Sequence, residues 1–138
     1  MSVLSLSEVE KLSWQMLRSS GASRLQAGST ARSIRDAEAE GIRTIGLSYL
    51  PTYCDHVACG KVDGAAIPTV ARPRAGAVVV DAAHGFCHPA FEAGLEPLVT
   101  SAGECGIAIM AIAHSYSAGV RGWFVERLAR RGMVAMMF

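Results

Sequence analysis

Three short stretches hold the residue types best suited to chemistry. In Gly41–Tyr53, Thr44 and Tyr49 offer hydroxyls, while Ile45 between them can transfer no proton. In His84-Gly85-Phe86-Cys87-His88 the imidazoles and thiol are types that zinc accepts. Gly85 and Pro89 point to a turn there, however, and no second ligand pair accompanies it, so the expectation is a solvated loop and no metal. In the third stretch, His114-Ser115-Tyr116-Ser117 leads to Gly119 and Gly122. His114 follows an apolar run and reads as a hydrogen-bonded structural histidine rather than a base. His56 reads as a solvated helix residue. Neither G-x-G-x-x-G nor a P-loop lysine occurs, so the common phosphate-cradling loops are absent.

The elements that must position these groups begin with helices. Ser5-Leu6-Ser7-Glu8 is a capping-box pattern, followed by Leu6, Val9, Leu12, Met16 and Leu17 at helical spacing up to Gly21. Ser23 starts a second helix that runs to about Glu40 with Leu25, Ala31, Ile34 and Ala37 on one side, and Gly41 ends it. A third helix is expected from an N-cap at Ser48, with Pro51 in its first turn and Leu50, Tyr53, Cys54 and Val57 as its apolar face, stopping before Gly60. Pro68–Pro73 reads as a turn-rich bridge. Ala77–Asp81 is a β-branched strand, Pro89–Ala102 a helix, Ile107–Ala113 a buried strand, 118–131 a helix and Met133–Phe138 a last strand. Glu126, Arg127, Arg130 and Arg131 read as a charged outer helix face with pairs at i,i+4. Residues 1–60 thus form an N-terminal helical region and 61–138 an incomplete α/β region, an α/β (α+β) class.

Bulk composition narrows the setting. The chain has 138 residues, 51% hydrophobic and 18% charged, which suits one folded domain and excludes disorder. A net charge of +1 gives no reason to expect nucleic acid or an anionic membrane. No apolar run reaches the ~20 residues of a membrane span, and Met1–Ser5 lacks the basic start of a leader. Cys54, Cys59, Cys87 and Cys105 are too sparse for a disulfide scaffold; Cys54 and Cys59 read as small apolar packing residues. A cytoplasmic protein with reduced thiols is expected. Apolar to its last residue, the Met133–Phe138 segment needs pairing or cover.

The first stretch resembles the active-site turn of the malate/L-lactate dehydrogenase family, roughly Gly-Ile-x-Ser-His-Gly-x-x-Arg-x-Pro-x-Tyr. Gly41, Ile42, Gly46, Pro51 and Tyr53 match it; Thr44 stands for Ser, Ile45 for His and Tyr49 for Arg. Val79-Val80-Asp81-Ala82-Ala83-His84-Gly85-Phe86 is similar to a strand and turn of the family. So is the stretch from Ile112 to Val134, with Ser117 where many members carry a second histidine. These are NAD(P)H-dependent oxidoreductases without a Rossmann fold, including ureidoglycolate, sulfolactate and Δ1-piperideine-2-carboxylate enzymes.

The resemblance implies the N-terminal part of that fold, since members continue beyond a strand like the last one here. It implies reduction of 2-oxo or cyclic imino acids. That reaction needs a proton donor near neutrality, a task for imidazole, and a cation for the substrate carboxylate, a task for guanidinium. With Thr44, Ile45, Tyr49 and Ser117 at the family's active-site positions, the expectation is no catalysis by this chain alone. No cofactor is expected for the chain by itself, and Ser115, Ser117 and Gly119 are the candidates to touch NAD(P)H. The alternatives are half of a split oxidoreductase completed by another chain, or a protein-binding or oligomerisation module. In each case a second copy or a complementing chain is expected over Met133–Phe138.

Overall fold

The computed structural model describes residues 3–138; Met1 and Ser2, which open the stretch read for a leader, lie outside them. Helix α1 spans Leu6–Ser19. Its capping box closes in both directions: the Glu8 N–H donates to Ser5 Oγ at 3.3 Å, and the Ser5 N–H to Glu8 Oε2 at 2.7 Å. Only a narrow stripe of α1 is buried, Val9, Ser13 and Leu17. Leu6 and Leu12, expected on that stripe, remain 46% and 38% exposed because, among the described residues, α1 packs chiefly against α2 and α3 on its inner side.

Helix α2, Arg24–Ala39, is capped by Ser23, whose Oγ accepts the Gln26 N–H at 3.2 Å. It packs against both α1 and α4. Its buried residues are consequently small or polar: Gln26, Ala27, Ser29, Thr30, Ser33 and Ala37 line it beside Ile34 and Ala31. Leu25, expected with them, faces outward. Gly41, in the left-handed region at φ +75°, turns the chain out of α2.

Two 3₁₀ turns follow, Arg43–Ile45 and Leu47–Tyr49, and then α3, Leu50–Ala58. Ser48 is not the expected N-cap. Its hydroxyl donates to the Arg43 carbonyl instead, and α3 begins two residues later with Pro51 in its first turn. Leu50, Tyr53, Cys54 and Val57 form the buried face as their spacing requires.

The sheet has the order β1-β2-β3, from Thr69–Arg74, Ala77–Asp81 and Ile109–Ala113, with β1 antiparallel and β3 parallel to β2. The turn-rich bridge expected at Pro68–Pro73 is in fact strand β1. Every β1 residue is exposed, so no apolar alternation announced it. Pro73 is tolerated because β1 is an edge strand whose register shifts between Ala71 and Arg74. Helix α4, Cys87–Cys105, extends past both expected ends and lies across the sheet. It approaches most closely at Gly94, where a Cβ would stand 2.7 Å from Val80 Cγ2 and against Met110 Sδ. Val78, Val80, Ala82, Ala90 and Leu98 form that core. The α1–α3 core is a second cluster, into which Val62 and Phe86 insert.

Helix α5, Arg121–Ala129, is shorter than expected and packs on α2 and α4. The expected last strand, Met133–Phe138, is not one: among the described residues it joins no ladder, and its backbone is tied only by the Met133 N–H to Leu128 O at 3.1 Å. A strand exists through its neighbour, and among the described residues none lies beside this segment. No helix among the described residues is long and apolar enough to cross a membrane.

Candidate functional site

Glu38, near the end of α2, shapes the 43–49 turn. Its carboxylate accepts the Leu47 N–H at 2.7 Å and lies directly against Gly46, leaving no room there for a Cβ. The turn presents Thr44 to solvent and leaves Ile45 and Tyr49 half-buried. Tyr49 meets the fully buried Tyr53 edge-on, ring centroids 4.8 Å apart.

The 114–119 loop is brought to the same place by backbone hydrogen bonds to the loop that follows β2. The His84 N–H donates to His114 O and the Tyr116 N–H to Gly85 O, both at 2.8 Å. Tyr116 thereby packs edge-on against Tyr53 and Phe86, at 6.0 and 5.7 Å. Gly119, at φ +64°, comes so close to the turn that an added Cβ would stand 3.3 Å from both Ile45 Cγ2 and the Tyr53 hydroxyl. The fold therefore joins the Ile45 turn to the Ser117 loop, two segments far apart in the chain.

The Tyr53 and Tyr116 phenols hold their protons firmly. Burial, with Tyr49 adding to it, pushes the Tyr53 phenol up to about 12. Burial and the neighbouring Tyr49 hydroxyl likewise raise that of Tyr116. His56, expected in solvent, is half-buried, with Nδ1 2.6 Å from the Tyr116 hydroxyl. Sequence reasoning assigned that pair no role, although His56 lies one helical turn after Tyr53 and so on its side of α3.

The stretch read as a solvated loop, His84–His88, is mostly interior. Phe86, Cys87 and His88 are buried, and only His84 is exposed, because α4 begins at Cys87 and draws them beneath it. His88 stacks on Phe124 and meets Trp123 edge-on, at 5.2 and 5.1 Å, with Nδ1 unpaired. Burial first, and then Arg127, drives its pKa down to about 3. Among the described residues no three His, Cys, Asp or Glu side chains converge as metal ligands would. His114 is exposed and pairs through Nδ1 with Asp81 Oδ1 at 3.1 Å.

The charged face expected on α5 is real at Glu126–Arg130, 2.6 Å apart, but not at Arg127. Arg127 turns inward, its guanidinium 3.3 Å from the Trp123 ring centroid and Nη2 3.3 Å from Asp36 Oδ2. Ser115 and Ser117 are exposed, and Ser117 Oγ accepts the Gly119 N–H at 3.4 Å.

The chain as a whole finds counterparts in known proteins. The family model described as malate/L-lactate dehydrogenase matches residues 4–138. This chain belongs to the malate/L-lactate dehydrogenase family. Among relatives, it is 43% identical over 137 residues to (2R)-3-sulfolactate dehydrogenase (NADP(+)) of Chromohalobacter salexigens, covering 99% of this chain and 40% of that protein. It is 36% identical over 129 residues to a Delta(1)-pyrroline-2-carboxylate/Delta(1)-piperideine-2-carboxylate reductase of Pseudomonas putida, covering 94% and 38%. In structure it is similar to malate dehydrogenase from Entamoeba histolytica, with TM-score 0.86 and 22% identity over 95% of this chain and 37% of that one. Sulfolactate dehydrogenase from Methanocaldococcus jannaschii gives 0.85 and 19%, over 94% and 38%. The mixed helix and strand fold is thus that of the N-terminal part of these dehydrogenases. The chain spans about 40% of the length of the curated relatives it matches.

Proposed function

We propose that this member of the malate/L-lactate dehydrogenase family is catalytically silent by itself. The family reaction, reduction of 2-oxo acids or cyclic imino acids by NAD(P)H, needs a proton donor that titrates near neutrality. The observation that carries this reading is the close approach of Ile45 to Gly119, where a Cβ on the glycine would stand 3.3 Å from Ile45 Cγ2. The active-site turn and the 117 loop meet there through a hydrocarbon side chain and a bare backbone. Around them, Tyr53 and Tyr116 have pKa values raised away from neutrality. Tyr49 offers a neutral hydroxyl for the substrate carboxylate, without the charge and bidentate geometry of arginine. Four free thiols, Cys54, Cys59, Cys87 and Cys105, agree with a cytoplasmic setting.

The test is titration of the purified chain with NADPH, followed by nucleotide fluorescence, and an assay with (2R)-3-sulfolactate and NADP+. No saturable binding and no turnover are expected. Micromolar binding, or turnover that disappears in Tyr49→Phe, would sink the proposal.

A second reading is favoured by the His56–Tyr116 pair, which sets an imidazole against a hydroxyl in the same cluster. In it, the chain is one half of a split oxidoreductase and another chain supplies the rest. Activity would then emerge on mixing the two halves and be lost in His56→Leu.

A further inference from the structure

β2 and β3 run parallel, so their carboxyl ends, Asp81 and Ala113, lie side by side. Open α/β sheets take their ligands beyond such strand ends. Two loops leave from there, and backbone hydrogen bonds tie them together. The Ala82 N–H donates to Ala113 O at 2.9 Å, and the His84 N–H to His114 O at 2.8 Å. Among the described residues, the non-glycine positions with positive φ are Ala83 at 50°, His84 at 64° and His114 at 49°. All three lie in these two loops, and backbone of this kind gathers at ligand clamps.

The loops set two exposed imidazoles next to each other, His84 and His114, with ring centres 5.4 Å apart and planes tilted by 40°. Two imidazoles that share one tetrahedral ion, each nitrogen at about 2.0–2.1 Å from it, hold their ring centres roughly 5 Å apart. The observed spacing fits a shared ion.

His114 is also oriented. Its Nδ1 lies 3.1 Å from Asp81 Oδ1, the oxygen that accepts the Ala83 N–H at 2.8 Å. The Ala83 N–H first, and then His114, holds the Asp81 carboxyl below its usual range, so near neutrality it is ionised and can only accept. The proton of a neutral His114 therefore sits on Nδ1, and Nε2 carries the lone pair. A carboxylate behind one ring nitrogen is what fixes a histidine that ligates metal through the other. His88, the remaining imidazole of the 84–88 stretch, cannot join, because it is buried against Trp123 and Phe124.

We propose that His84 and His114 form a two-imidazole site for one divalent transition-metal ion such as zinc. Asp81 orients His114, and water or an anionic ligand fills the remaining positions. The site needs no third protein ligand, and none converges there among the described residues. Magnesium, which requires oxygen ligands, is not expected to bind. The bound ion would pin the loop after β2 to the loop that carries Ser117 and Gly119. The inference stands whether or not the chain turns over.

The test titrates the chelator-treated chain with zinc chloride in a calorimeter near neutral pH. One-to-one binding of micromolar strength is expected, and none with magnesium chloride. Asparagine tolerates the left-handed region, so His84→Asn and His114→Asn remove an imidazole and leave the loops in place. Each should weaken zinc binding by roughly a hundredfold. Asp81→Asn, which keeps an acceptor for the Ala83 N–H without the charge, should weaken it by roughly tenfold. Unchanged binding in either histidine variant overturns the proposal, as does the absence of binding at submillimolar zinc. Loss of binding in Cys59→Ser combined with Cys105→Ser also overturns it, in favour of the exposed thiols. Nitrogen NMR of the imidazoles gives an independent readout. Zinc should shift His114 Nε2, and a shift at Nδ1 in its place would overturn the arrangement with Asp81.

Discussion

Asp36 on α2 accepts the indole N–H of Trp123 on α5 at 2.9 Å, and the same carboxylate meets Arg127, whose guanidinium sits over that indole. One acidic side chain thus clamps the last helix to the helical region. Trp123 is 2% exposed, so its N–H finds no replacement partner in water.

Asp36→Ala should therefore destabilise the chain by about 2–4 kcal/mol, through an orphaned indole N–H and a half-buried guanidinium without its partner. Asp36→Asn keeps an acceptor and should lose less, about 1 kcal/mol. Urea unfolding followed by tryptophan fluorescence measures both; equal losses would argue against a charge-assisted clamp.

Acid sensitivity should come early, from His88. Its pKa of about 3 in the fold lies below the unfolded value near 6.5, so the unfolded chain binds more protons between those limits. Stability is unaffected by this group above about pH 6.5 and falls as pH drops below it, by up to ~1.4 kcal/mol per unit. Hydrogen bonds hold the Glu8, Asp81 and Glu96 carboxyls below their usual range, so their losses come at lower pH. His88→Leu should flatten the slope between pH 6.5 and 4.5 whatever its baseline stability, and an unchanged slope would refute the assignment.

Gly46 and Gly41 should respond to alanine for different reasons. Gly46 has an ordinary φ of −86°, and alanine fails there because Glu38 occupies the space; a loss of about 1–3 kcal/mol is expected. Gly41 has nothing within 4 Å and should cost only the left-handed penalty, about 1–2 kcal/mol. Combining each with Glu38→Ala separates them in thermal melts: the loss at Gly46 should shrink and that at Gly41 should not.

Gln26 should prove among the most sensitive positions of α2. Fully buried, it donates to Ala66 O and accepts the Phe86 N–H, both at 2.8 Å. Gln26→Ala leaves both backbone groups unpaired and opens a cavity, a loss of about 3–5 kcal/mol in chemical denaturation. A neutral result would mean that water replaces the amide.

The helices were legible because their signals are local. Ser5 and Glu8 cap α1 within one turn, and Leu50, Tyr53, Cys54 and Val57 repeat with the period of α3. β1 was not legible, since an edge strand exposed on every residue carries no burial pattern and Pro73 argues against one. Met133–Phe138 misled in the opposite sense: its composition is that of a strand, but strandhood depends on a neighbour.

The family was legible in the sequence, through the resemblance carried by Gly41, Ile42, Gly46, Pro51 and Tyr53 at their spacing, and so was the fact that Ile45 and Tyr49 carry neither imidazole nor guanidinium. Residue identity is a property of the chain alone, so those statements needed no fold. Only tertiary structure decided that Ile45 meets Gly119, that Tyr116 finds His56, and that His88 is sealed between Trp123 and Phe124. Each of these is a contact between segments distant in the chain, set by how the loop after β2 threads into the helical core, and no local period or spacing encodes it.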